Sequence, residues 1–342
     1  NKEINDIQQI DELIKKGVQL LEEGIQNNER DQIILNIKSE ILASAKDVNG
    51  NYAIQKILNN KDQKQINFII IALKTKIYEL TLHLYGCRVV QELISSLEKN
   101  NLNIITNELK PYYLKCIEDK NGNHVIQKLI ENLSEEELNE VFLVTKNCIC
   151  NLSKHQYGCR VIQKLFKYCN NIQINEMLRE LFININELIQ GQYGNYVIQF
   201  ILENKKIDRD ILVPIYDSLQ GHVYEYSIHK FASNVVERAL TFGKKQQQLK
   251  IINEIIELVR NNPEYIINMV KNKFGNYAIQ KIIEYSEPNE QQILINCISE
   301  KQNELKNDGF SKHVLNYIEK LRNGAGKKGN GGRSMGKFGK KD

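Results

Sequence analysis

The 342-residue chain has no tryptophan, only four prolines and three methionines, and nowhere a run of the roughly 18 apolar residues that a membrane span requires. A transmembrane helix is thereby excluded. The opening stretch NKEINDIQQIDELIKK has no apolar core of the kind a secretory signal needs. It also has no starting Met, so a piece of a longer protein is expected. With so few prolines, little interrupts helices. Seven cysteines are present: Cys87, Cys116, Cys148, Cys150, Cys159, Cys169 and Cys297. An odd number in a long chain argues against a disulfide framework. Cys148-Ile-Cys150 is too tight for a usual zinc pair and has no second pair. Reduced, buried thiols are expected instead, which favours the cytosol or nucleus, with the cytoplasm as the expected location. Nucleophile–base motifs, glycine-rich phosphate loops and metal spacings are all missing, so neither an enzyme nor a bound cofactor is expected.

What remains is the composition of a folded protein, 42% hydrophobic and 26% charged. The net charge of +4 is unevenly spread. Residues 322–342, rich in Gly and Lys, carry seven basic residues against one acid, which leaves 39 basic against 41 acidic residues in 1–321. Two regions are expected: a folded domain over 1–321 and a disordered basic tail over 322–342. Since the folded part is slightly acidic, any nucleic-acid binding must rest on base contacts and a local basic strip rather than on bulk attraction.

Internal repetition decides the fold. The strings NGNYAIQK (49–56), YGCRVVQE (85–92), NGNHVIQK (121–128), YGCRVIQK (157–164) and YGNYVIQF (193–200) recur every 36 residues. FASNVVER (231–238) and FGNYAIQK (274–281) follow after 38 and 43, spacings that predict enlarged loops. FSKHVLNY (310–317) is a decayed last copy around residue 312, and KKGVQLLE, reached by counting back 36 from Asn51 to Lys15, is a degenerate first copy within 1–36 that keeps Gln19. Each copy reads as a small helical unit. In KQINFIIIALK, for example, Ile66, Ile69, Ile70 and Leu73 fall at i, i+3, i+4 and i+7. No such unit buries its apolar face alone, so stacked neighbours must cover it in an α-solenoid.

Three positions vary against this fixed background: the residue after Gly or Ala, the next one, and the residue three further on. The first and last are one turn apart on a helix, roughly 6 Å along the axis, and two polar side chains there can bracket one edge of a base. The middle residue is Tyr52, Arg88, His124, Arg160, Tyr196, Asn234 or Tyr277, and six of these seven are flat groups suited to stacking on bases. Helices pack about 8–10 Å apart, close to twice the 3.4 Å base rise, so one repeat can serve one base.

GNYxIQ, GCRVxQ, GNHVIQ and ASNVVE resemble the recognition helices of the Pumilio (PUF) family, whose repeats read one base each with two or three side chains. The resemblance implies a right-handed crescent of about eight three-helix repeats with the Gln-bearing helices on the inner face. It also implies a code: Asn with Gln for uracil, Cys or Ser with Gln for adenine, Ser with Glu for guanine. The chemistry agrees, because guanine's N1–H and N2–H₂ call for a carboxylate such as Glu237, while small Cys87 and Cys159 leave room for a purine. RNA runs antiparallel in the family. Asn276/Gln280 therefore read U, Ser233/Glu237 G, Asn195/Gln199 U, Cys159/Gln163 A, Asn123/Gln127 U, Cys87/Gln91 A and Asn51/Gln55 U, giving 5′-UGUAUAU-3′. Lys15, Lys16 and Gln19 depart from the family's first repeat, and Lys312/His313 with Asn316 resemble a terminal cap.

Blander readings are weaker. Cys87 and Cys159 as redox sensors, or His124 as a metal ligand, lack partners in the sequence. Lys56, Lys128, Lys164, Arg238 and Lys281 either touch phosphates or are plain solvated charges, since Glu92 and Phe200 hold the same place elsewhere. The expected function is a monomeric post-transcriptional regulator binding single-stranded elements in mRNA 3′ untranslated regions. Repression or deadenylation partners are expected on its convex face. A ribosome-biogenesis factor of the same superfamily would show eroded triplets and more repeats. A HEAT- or armadillo-like protein scaffold would carry no repeating Asn/Gln/Glu triplet.

Overall fold

The computed structural model describes residues 2–23, 28–98 and 101–324, and every regular element among them is a helix. Residues 325–342, most of the expected basic tail, lie outside the described residues. The last helix, Ser311–Gly324, takes in the tail's first three residues. The chain forms two compact units, one over residues 1–215 and one from Tyr216 onward. Each is a stack of the same three-helix piece, an α-solenoid.

One copy shows why the sequence folds this way. It consists of the short helix Tyr113–Glu118, the helix Gly122–Asn132 and the outer helix Glu135–Thr145. In the middle helix Gly122, Val125, Ile126, Leu129 and Ile130 are buried, a stripe at i, i+3, i+4, i+7 and i+8. Burial of each such aliphatic side chain contributes about 1.5–3 kcal/mol. Much of that contact comes from the copies on either side, since the helices Gly86–Ser96, Gly122–Asn132 and Gly158–Tyr168 pack in succession. A capping box between Ser134 and Glu137 starts the outer helix. The short helix presses so closely on the middle one that a Cβ on Gly122 would lie 2.7 Å from the carbonyl oxygen of Cys116, which is why glycine opens the motif.

Two expectations are modified. The spacing of 38 does reflect a longer connection, the turns of 204–212. The spacing of 43 comes instead from a longer helix, Lys245–Asn261, 17 residues against 11 in Glu135–Thr145. Its buried Ile251, Ile252, Ile255, Ile256 and Val259 keep the helical period going, so no loop is inserted. The first copy is also simpler than the others, built from two long helices, Lys2–Glu22 and Asn28–Lys46. Buried Ile14 stands where the clear copies have a small residue. Exposed Lys15 pairs with Asp11 at 2.6 Å, and Gln19 donates to Glu23 at 2.8 Å.

Candidate nucleic-acid interface

The site is built from the turn that opens each middle helix. In the copy of Asn123, Asp119 Oδ1 accepts the backbone N–H groups of Asn121 and Gly122 at 2.8 and 2.7 Å. Asp47 does the same for Asn49 and Gly50, both at 2.8 Å, and Asn272 for Phe274 and Gly275 at 2.8 and 2.9 Å. Where Cys87, Cys159 and Ser233 follow, the acceptor is Nδ1 of His83, His155 and His229, at 3.2–3.3 Å. Each of these capping residues stands four before the first reading residue of its copy. Sequence reasoning missed them, because Asp, His and Asn alternate there and do not look like one class.

The first variable position is buried in all seven clear copies: Asn51, Cys87, Asn123, Cys159, Asn195, Ser233 and Asn276 are each at most 5% exposed. Each Asn donates its side-chain N–H groups to two turn carbonyls, as Asn123 does to Asp119 and Lys120 at 2.9 Å. The third position, Gln55, Gln91, Gln127, Gln163, Gln199, Glu237 or Gln280, is half-buried above it. Gln55, Gln127 and Gln199 donate to the Oδ1 of Asn51, Asn123 and Asn195 at 3.0, 3.0 and 2.8 Å. The two therefore do not stand equally to solvent. The first sets the floor, and the third displays its amide or carboxylate over it.

The middle residues stand outward, with Tyr52 and Tyr196 47% and 44% exposed, Arg88, His124 and Arg160 exposed, and Asn234 and Tyr277 half-buried. In three places such a residue meets its counterpart in the next copy. Arg88 donates to the Tyr52 hydroxyl at 3.0 Å, the Arg160 guanidinium lies 5.4 Å from the Tyr196 ring centre, and the rings of Tyr277 and His313 are 6.4 Å apart and 23° from parallel.

Four buried side-chain N or O atoms among the described residues lack a hydrogen-bond or ion-pair partner. Three belong to reading positions: Gln163 Nε2, Ser233 Oγ and Asn276 Oδ1. Buried polar atoms are rarely left so. Burial pushes the Cys87 and Cys159 thiols up, so they are neutral small side chains and not activated nucleophiles. Lys164 is ion-paired with Glu131 and Lys281 with Glu284, which suits solvated charges better than phosphate ligands. No group of His, Cys, Asp and Glu among the described residues could hold a metal ion, and none of their helices is long and apolar enough to cross a membrane.

Residues 45–73, 76–110, 115–143, 148–182, 184–213, 222–256 and 265–299 match the model of the Pumilio-family RNA binding repeat. The chain is 35% identical over 119 residues to the mRNA-binding protein PUF3 of Saccharomyces cerevisiae, and 29% identical over 104 residues to Pumilio homolog 12 of Arabidopsis thaliana. Those alignments cover 33% and 30% of the chain but only 14% and 17% of the two relatives, so the chain spans a small part of their length. Among solved structures it matches the Puf3 RNA binding domain bound to a Cox17 RNA 3′ UTR recognition sequence with a TM-score of 0.76 and 33% identity, over 86% of this chain and 89% of that one. The PUF-8 structure in complex with PBE-RNA, at 23% identity and a TM-score of 0.75, shares the fold over 91% of this chain and 95% of its own. Seven matched repeats, at the phase already read from the sequence, place the chain in the Pumilio family of RNA-binding repeat proteins.

Proposed function

We propose that this chain binds single-stranded RNA sequence-specifically, one base per copy, with the core site 5′-UGUAUAU-3′. The observation that carries the reading is the sevenfold recurrence of one wedge, a buried Asn, Cys or Ser with a half-buried Gln or Glu one turn on, joined in six of the seven copies by a flat side chain beside them. A base edge meets the displayed amide or carboxylate, and the buried residue decides how deep the edge reaches. Asn fills the floor with its carboxamide and suits a pyrimidine, whereas Cys or Ser leaves space for a purine. The outward Tyr, Arg and His side chains supply stacking faces. The 6.4 Å between the rings of Tyr277 and His313 approaches twice the base-stacking distance of about 3.4 Å, the width one inserted base needs.

Acting through such sites in mRNA 3′ untranslated regions, the protein is a post-transcriptional regulator in the cytoplasm, a monomer that recruits repression or decay machinery. Two points support this: the family to which it belongs, and a matched domain bound to a 3′ UTR sequence. Fluorescence anisotropy with labelled UGUAUAU RNA, set against the same strand with UG changed to AC, tests the binding. The altered strand is expected to bind at least tenfold more weakly, the size of one to two lost base contacts. Equal affinity for the two strands would overturn the proposal.

A further inference from the structure

The turn that opens each middle helix is held in two different ways, and the division follows the base assignments. In the Asn copies the reading side chain itself staples the turn. Asn51 donates to the carbonyls of Asp47 and Val48, Asn123 to Asp119 and Lys120, Asn195 to Gly191 and Gln192, and Asn276 to Asn272 and Lys273, all at 2.8–3.0 Å. Cys87 and Cys159 reach only one carbonyl each, those of Leu84 and Gln156, through sulfur at 3.5 and 3.6 Å. Ser233 Oγ bonds nothing. In these three copies the capping residue is His83, His155 or His229.

One Asn copy has no such cap. Gly191 has no side chain, and the turn before Asn195 nevertheless keeps its geometry, with the Asn195 backbone N–H on the Gly191 carbonyl at 3.3 Å. The amide staple is therefore sufficient by itself. Where Cys or Ser replaces Asn, two N–H bonds to an imidazole are the main side-chain hold on the turn that sets the reading residue's position.

We propose that His83, His155 and His229 are positioning residues for the purine-reading copies, while the caps of the uracil-reading copies are dispensable. The inference rests on the base assignments proposed above. It adds a fourth, coupled position to the reading triplet: an Asn at the first position frees the cap, and a Cys or Ser requires it.

The test compares His155→Gly, Asp119→Gly and the pair His155→Gly/Cys159→Asn, which recreates the Gly191/Asn195 arrangement. Against UGUAUAU, His155→Gly is expected to bind roughly tenfold more weakly and Asp119→Gly within about twofold of the unmodified protein, given the usual worth of a helix cap. On RNA with U in place of the first A, the double variant is expected to match Cys159→Asn alone. A second arm uses no RNA. Amide hydrogen exchange at Cys159, whose N–H is bonded to the His155 carbonyl, should speed up about tenfold in His155→Gly, whereas the Asn123 amide should hold in Asp119→Gly. Equal losses in the two Gly variants, or a double variant that stays weak beside Cys159→Asn, would overturn the proposal. If the unmodified protein failed to distinguish bases, the base assignments would fall, and the exchange arm would still decide the role of the caps.

Discussion

Glu237 is the one carboxylate among the seven third positions, and it stands half-buried over Ser233, whose hydroxyl has no partner. A carboxylate only accepts hydrogen bonds, so it complements an edge with two adjacent donors, which guanine alone presents. Glu237→Gln replaces one acceptor with a donor and should cost roughly 1–3 kcal/mol on the UGUAUAU site while flattening the preference for G. Anisotropy with each of the four bases at the second position measures this, and an undiminished G preference would refute the assignment. The reading residues could be found in the sequence because their types vary at a fixed phase while the neighbours do not. Their unequal exposure could not. Residues at i and i+4 share a helix face, and what draws Asn51 inward is its pair of bonds to the carbonyls of Asp47 and Val48, partners no pattern announces.

Between elements, a second periodic device ties the outer helix of a copy to the turn that enters that copy. Glu180, on the outer helix Asn171–Ile183, accepts the N–H groups of Asn147, in the turn that enters its own copy, and of Cys150, on that copy's short helix, at 3.0 and 3.1 Å. Glu108 clamps Thr75 and Tyr78 in the same manner, and Glu254 clamps Gly221 and Val223. The first residue of each clamped turn has a left-handed backbone, with φ of 71° at Thr75, 68° at Asn147 and 78° at Gly221. Such a turn is costly for a side-chain-bearing residue, and a charge-assisted pair of bonds offsets the cost. Glu180→Ala should therefore lower stability by about 1–2 kcal/mol, read as a shifted urea midpoint, with base preference unchanged. A midpoint within error of the unmodified protein would show that the clamp is idle. The three-helix copy itself was legible, since its apolar stripe repeats at i, i+3 and i+4. The clamps were not, because their partners lie 30 or more residues apart and one Glu among 36 residues carries no signal until the turn it touches is seen. The long helix Lys245–Asn261 escaped for a related reason: a wider spacing says that residues were added, not whether they extend a loop or a helix.

Across the whole molecule, charge is unevenly divided between the folded part and the C-terminal stretch. Residues 1–321 carry 39 basic and 41 acidic residues, while the chain beyond Gly324 adds six basic residues and one acid. Within the described part many lysines are already committed, as in the pairs of Lys46 with Glu79, Lys154 with Glu187 and Lys271 with Glu304 that recur between copies. Such pairing reduces the number of cations that can displace counterions from a bound strand. If each of the roughly six phosphates joining a seven-nucleotide strand were neutralised, the logarithm of the binding constant would fall with the logarithm of salt at a slope near −4. Base edges and stacking, which release no counterions, should hold the slope of a chain ending at Gly324 to about −2. Restoring 325–342 should steepen the slope and raise affinity for UGUAUAU and for the AC-substituted strand by the same factor, because lysines on a glycine-rich stretch meet phosphates without regard to sequence. Anisotropy titrations between about 50 and 300 mM salt, on both strands and both chain lengths, measure the two effects together. A shortened chain that lost its preference for UG would move the source of specificity from the stacked helices to the basic stretch, and a slope near −4 for that chain would show that its hold on RNA is electrostatic after all.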